Sequence, residues 1–100
     1  KPGGGEGYFN PVAIELNKEV DKKWFQRHYR LRFSLYSQIE DLSKIRKVTY
    51  FYKRNEGLDQ QITTSNQSNL FSVIIKTKLP GQKIKIEIID KKGKLYTIHR

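Results

Sequence analysis

The chain has no cysteine and no methionine among its 100 residues, and only three prolines and one tryptophan. Without cysteine it can form no disulfide, no thiolate metal site and no cysteine nucleophile. No apolar run approaches the roughly 20 residues that span a bilayer. No basic, apolar and small-residue succession marks a signal peptide. The missing methionine implies that the chain does not begin at its own start codon, and a processed product or excised domain is expected. The length allows one domain, because two would each fall below the size at which a core sustains itself.

Histidine is also scarce. His28 stands at the start of a strand-like segment, and His99 is the penultimate residue, where chains commonly fray. Neither has a partner at ligand spacing, and metal sites need three or four ligands with close pairs among them. The adjacent acids Glu40 and Asp41 suit a turn cap better than a calcium loop, because no alternating acids follow. No nucleophile, base and orienting group form a recognisable set. The reading is a non-enzyme with no catalytic, cofactor-binding or metal-ligating residues and no cofactor.

Positive charge, by contrast, is in excess. Twenty Lys and Arg against ten Asp and Glu leave a net charge of +10. Such an excess favours anionic partners. It is spread along the chain, not gathered in a tail. A lysine-rich outer sheet surface gives the same count without any ligand, since strand lysines discourage edge pairing.

Residues 1–10 begin Lys-Pro-Gly-Gly-Gly-Glu-Gly and read as a flexible leader or linker, with one domain over 11–100. Val12–Leu16 is expected to be a first strand. In 17–25 the spacing of Leu16, Val20 and Trp24 suits a helical face, so a loop or brief helical turn is expected. Period two then takes over: Tyr29, Leu31, Phe33 and Leu35 alternate with Arg30, Arg32, Ser34 and Tyr36, the mark of a half-buried strand. Residues 37–44 read as a loop. Val48, Tyr50 and Tyr52 define the next strand, and Asn55-Glu56-Gly57 a turn. The polar stretch Gln60–Asn69 reads as a long loop with, at most, a weak edge strand at 61–64. Leu70–Lys76 is strongly β in composition. Leu79-Pro80-Gly81-Gln82 suits a type II turn. Ile84, Ile86 and Ile88 alternate with lysines and Glu87. Asp90–Gly93 forms a hairpin turn, and Leu95–Ile98 the last strand. The fold class is all-β, an immunoglobulin-like β-sandwich of about six to eight short antiparallel strands.

Two surfaces are candidates for binding. Lys76 and Lys78 share a face, as do Lys83 and Lys85. Pairing of their strands through Pro80-Gly81 would join them into one cluster that attracts phosphates; Arg30 and Arg32 extend this basic surface. Aromatic residues interleaved with these cations would suit single-stranded nucleic acid. The alternative is that Trp24, Tyr29, Phe33 and Tyr50 fill the core, which a sandwich of this size needs.

The run from Trp24 through Tyr29-Arg30-Leu31-Arg32-Phe33-Ser34-Leu35 to Ile45–Tyr52 resembles YEATS domains, especially the prokaryotic YEATS-like group. Phe71-Ser72-Val73, Leu79-Pro80-Gly81, Ile84–Ile88 and Lys92-Gly93-Lys94 follow in the order of that family's later strands. The resemblance spans about residues 24–98 and implies an immunoglobulin-like sandwich. Eukaryotic members read acylated lysine through a histidine- and serine-bearing loop and a glycine-aromatic-glycine loop. Here those loops read Lys53-Arg54-Asn55-Glu56 and Lys78-Leu79-Pro80-Gly81. The pocket residues are missing, so the resemblance carries loop positions and not acyl-lysine recognition. The candidate binding loops are therefore Lys53, Arg54 and Asn55 with Lys78, Leu79, Pro80 and Gly81. The functional reading is a non-catalytic interaction or sensory module within a larger protein or assembly, with a protein partner. The alternative is a basic domain that binds nucleic acid or another polyanion.

Overall fold

The structure, a computed structural model, describes residues 9–23 and 28–100. Seven strands form two antiparallel sheets: β1 (Glu15–Lys23), β2 (Tyr29–Tyr36), β3 (Ile45–Asn55), β4 (Leu58–Thr64), β5 (Val73–Thr77), β6 (Lys85–Asp90) and β7 (Leu95–His99). The order is β1-β2-β5 in the first sheet and β4-β3-β6-β7 in the second. The chain crosses between sheets after β2, β4 and β5, which makes an immunoglobulin-like sandwich. One turn of helix, α1 (Ile39–Leu42), makes the first crossing and buries Leu42. The Gly-rich stretch 1–7 and Trp24 lie outside the described residues.

One segment read as a loop or helical turn is a strand, and the weak edge strand at 61–64 is the end of a longer one. β1 runs through most of 17–25, paired with β2 from Glu15↔Tyr36 to Lys23↔Tyr29. The four-residue spacing of Leu16 and Val20 is common to a helical face and to twice the strand period, so spacing alone cannot separate them. Lys18 lies between these two in strand alternation, opposite Phe33, and its ammonium reaches across to the Gln82 carbonyl at 3.1 Å. An inward-directed charge on an edge strand also discourages pairing with another chain. β4 occupies the polar stretch after Gly57. As an outer strand it needs apolar residues on one face alone, and Ile62 supplies the contact with the core.

The core fills the space between the sheets. Leu31, Phe33 and Leu35 of β2 face Val48 and Tyr50 of β3 and Ile86 and Ile88 of β6, all buried. Phe33 and Tyr50 are in contact at 5.6 Å between ring centres, and the Tyr52 ring packs edge-on to Phe33 at 6.4 Å. These aromatics fill the core and give no stacking surface. Phe9, which the sequence assigns to the leader, is buried and packs edge-on against Tyr96. The strand expected at Val12–Leu16 begins at Glu15, after a 3-10 turn over Pro11–Ala13. Proline favours that first helical position because its φ is preset.

The strand expected from Leu70 starts three residues later, at Val73. Leu70 and Phe71 are left-handed, with φ of 62° and 55°. This conformation costs an L-residue about 1–2 kcal/mol. It persists because every polar group around it is tied down: Leu70 N–H bonds Gln67 C=O, Phe71 N–H bonds Asn66 C=O, and Leu70 C=O accepts from Leu35 N–H. Leu70→Gly, at a half-exposed position, is expected to stabilise the domain by about 0.5–1 kcal/mol. Phe71→Gly relieves the same strain but removes a fully buried ring, and is expected to destabilise by about 3–5 kcal/mol. Urea denaturation of the two variants checks the opposite signs.

Asp90 closes the β6–β7 hairpin. One carboxylate oxygen accepts from Lys92 N–H and Lys94 N–H, both at 2.9 Å, and the other from the Tyr96 hydroxyl at 3.0 Å. Gly93, at φ 91°, supplies the left-handed turn residue. Burial works against the Asp90 charge, but the Lys94 N–H, the Tyr96 hydroxyl and the Lys92 and Gly93 N–H groups outweigh it and hold the carboxyl below its ordinary value. A lowered folded-state value gives stability that is full above the unfolded value, about 3.9, and is lost as pH falls through the folded one. Asp90→Asn is expected to flatten the acid limb of stability below about pH 4. Thermal melting of both proteins across pH 2–6 tests this; unchanged acid limbs would remove Asp90 from the account.

Candidate binding surface

The two candidate loops meet at one end of the sandwich, where β3 passes the β5–β6 connection. Lys53, Arg54 and Asn55 are not a loop. They are the last residues of β3, paired to β4 through Lys53↔Asp59 and Asn55↔Leu58, with a bulge at Arg54. Glu56-Gly57 alone makes the hairpin turn, and Gly57 has the positive φ, 81°, that this turn needs. A two-residue turn lets both strands run further than the turn signal suggests.

Opposite it, Lys78 N–H donates to Arg54 C=O at 2.8 Å. The buried Thr77 hydroxyl donates to Lys53 C=O at 2.6 Å and accepts from Leu79 N–H. Gln82 completes the junction. Its amide oxygen accepts from Lys53 N–H at 2.6 Å, and its amide nitrogen donates to Lys53 C=O at 2.8 Å and Leu79 C=O at 2.9 Å. The turn at Leu79–Gln82 is closed by Gln82 N–H to Leu79 C=O at 3.3 Å. It is not type II, because that type places its third residue at positive φ and Gly81 is not there. The result is a fixed shelf formed by Lys53–Asn55 and Lys78–Gly81. The sequence signals single out the segments but not Gln82, which nothing in its local pattern distinguishes.

The expected cluster of Lys76, Lys78, Lys83 and Lys85 does not form. β5 pairs with β2, and β6 with β3 and β7, so the Pro80-Gly81 connection crosses from one sheet to the other. Arg30, Arg32 and Lys76 lie on the outer side of the first sheet, with Arg30↔Lys76 and Arg32↔Ile74 in register. Glu19 pairs with Arg32 there, which offsets part of the charge. Lys85 belongs to the second sheet, and Lys83 lies in the connection that leads into it.

On the outer side of that sheet, one row of paired positions runs Gln61, Phe51, Lys85 and His99. His99 is therefore a strand residue and not a frayed end. The Lys85 ammonium lies 4.8 Å from the Phe51 ring centre, a cation–π contact, and 3.9 Å from Glu87. Lys53 and Asp59 form an exposed ion pair at 2.8 Å. With Gln60, Gln82 and Lys83 these residues border an open concavity of about 490 Å³. Burial raises the neighbouring Tyr52 hydroxyl above its ordinary value, and the Arg54 charge pulls it back in part. Among the described residues, no three His, Asp or Glu side chains are grouped to hold a metal. Among them, too, no helix is long and apolar enough to cross a membrane.

No protein-family model matches the chain, and no curated protein matches it. Among solved structures it is similar to a polysaccharide deacetylase from Bacillus cereus, with a TM-score of 0.54 and 10% identity, over 87% of this chain and 28% of that one. The likeness is one of fold, and this chain spans under a third of that protein's length.

Proposed function

We propose that the chain is a non-catalytic interaction module of immunoglobulin-like fold, carried within a larger protein or assembly and directed at a protein partner. The observation that carries this reading is the hydrogen-bonded shelf of Lys53–Asn55 and Lys78–Gly81. A preorganised strand end and turn on a rigid scaffold lose little entropy on binding. The same two segments are those at which the YEATS-like resemblance places ligand-facing loops.

The basic reading, binding of nucleic acid or another polyanion, has one specific observation in its favour: Lys53, Lys83, Lys85 and His99 converge on one concavity. Salt separates the two. The immobilised protein should retain a defined host protein at 500 mM salt, and the triple variant Arg54→Ala, Leu79→Ala, Pro80→Ala should lose it. Recovery of polyanions alone, released by salt, would overturn the protein-partner reading and support the second.

A further inference from the structure

The inference deepens the reading of the chain as a binding module by giving its concavity a ligand class. We propose that the concavity on the outer side of the second sheet binds an acidic sugar unit, a pyranose ring bearing a carboxylate, free or within a chain. Its volume, about 490 Å³, lies in the range of small-ligand sites. Its walls are chemically divided. In the strand order β4-β3-β6-β7, Asp59 stands on one side and Lys85 and His99 on the other, with Phe51 between them and Lys83 in the segment that leads into β6. The charge of Lys53 is matched by Asp59 at 2.8 Å. Lys83 has no partner among the described residues, and Lys85 meets a carboxylate only at 3.9 Å.

The lysine side therefore has positive charge to give an anion. The opposite side offers the second oxygen of the Asp59 carboxylate, an acceptor for a hydroxyl group. Phe51 offers apolar carbon to a ring between them. A ligand that satisfies all three carries an anion at one end, hydroxyls at the other and an apolar face: an acidic pyranose. Single-stranded nucleic acid fits less well. It uses successive aromatic platforms along a basic track. Here the outer row has one aromatic, Phe51, so successive bases find no second platform.

Titration calorimetry and amide chemical shifts test the site, with trigalacturonate, galacturonic acid, neutral trigalactose and a 15-mer of oligothymidylate as probes at 50 mM salt. Trigalacturonate should bind and shift Phe51, Lys85 and His99, and the neutral trimer should bind at least tenfold more weakly. The double variant Lys83→Gln, Lys85→Gln should lose tenfold or more, and Lys91→Gln, Lys92→Gln on the hairpin turn should stay within twofold. Single-site Lys85→Gln serves if the double variant melts early. Equal binding of monomer and trimer assigns the site to a free sugar acid, and tighter trimer binding assigns it to a chain; both uphold the proposal. No binding of either acidic sugar, binding untouched by the lysine variants, or tighter binding of the oligothymidylate through the same residues would overturn it. The protein-partner reading is unaffected by any of these, because it rests on the separate capture experiment.

Discussion

Tyr50→Phe is expected to destabilise the domain by about 1–3 kcal/mol, with the fold intact. Tyr50 is fully buried at the centre of β3, and its hydroxyl donates to the Phe71 carbonyl at 2.7 Å. Phenylalanine keeps the ring but strips a buried carbonyl of its donor. An unpaired buried acceptor costs more than the net worth of the bond. The effect is enlarged because Phe71 is one of two successive left-handed residues, and this bond helps to hold it there. Tyr50→Ala removes the ring as well and should cost about 3–5 kcal/mol. That is a large share of the roughly 5–15 kcal/mol available to a domain. Phe51→Ala, one residue away but on the outer side, should change stability by about 0.5 kcal/mol or less. A fall in the urea midpoint at constant slope measures each, and equal midpoints for wild type and Tyr50→Phe would refute the role of the hydroxyl.

The same residue shapes the alkaline limb. Burial pushes the Tyr50 hydroxyl well above its ordinary value. The folded state therefore keeps the neutral phenol while the unfolded state ionises near pH 10. Stability is complete below that pH and declines as pH rises from there toward the folded value. Tyr50→Phe should show a shallower decline above pH 10. Some slope remains, because burial also raises Tyr52, against the opposing Arg54 charge, and burial together with Asp90 raises Tyr96.

What could be read from the residues follows period and polarity. β2 and β6 follow period two, and β3 does so from Val48, after an irregularity between Ile45 and Lys47; their inward residues form half of the core. Phe51, set between Tyr50 and Tyr52, is placed outside by that alternation alone. Lys85 and His99 are also legible as neighbours: a hairpin closed at Asp90–Gly93 that pairs Ile89 with Leu95 sets Lys85 opposite His99. β1 and β4 are less so, because an edge strand needs little apolar surface and β1 shares a spacing with a helix. The lysine cluster failed for a topological reason. A proline-glycine turn looks alike whether it folds a strand back on its neighbour or carries the chain to the other sheet. Only partner choice decides, and β2 and β3 are the better apolar partners.

Gln82→Ala is the second large effect expected, a loss of about 1–3 kcal/mol. The side chain bonds both the N–H and C=O of Lys53, the Leu79 carbonyl and the Thr77 hydroxyl. No backbone ladder replaces these, because the pairing of β3 with β6 ends at Phe51↔Lys85. Asparagine is one carbon shorter and cannot reach the whole set, so Gln82→Asn should recover little. Thr77 shares the network, so Thr77→Val and Gln82→Ala should couple by 0.5 kcal/mol or more in a double-mutant cycle, where distant pairs add to within about that amount. Hydrogen exchange gives the local readout: the Lys53 and Lys78 amides should lose protection before those of Leu31 or Ile86. Partner capture through the shelf should weaken although no residue presented to the partner has lost its side chain. A Gln82→Ala protein with unchanged Lys53 exchange and unchanged capture would show that the shelf is held by Thr77 and the Lys78–Arg54 bond alone.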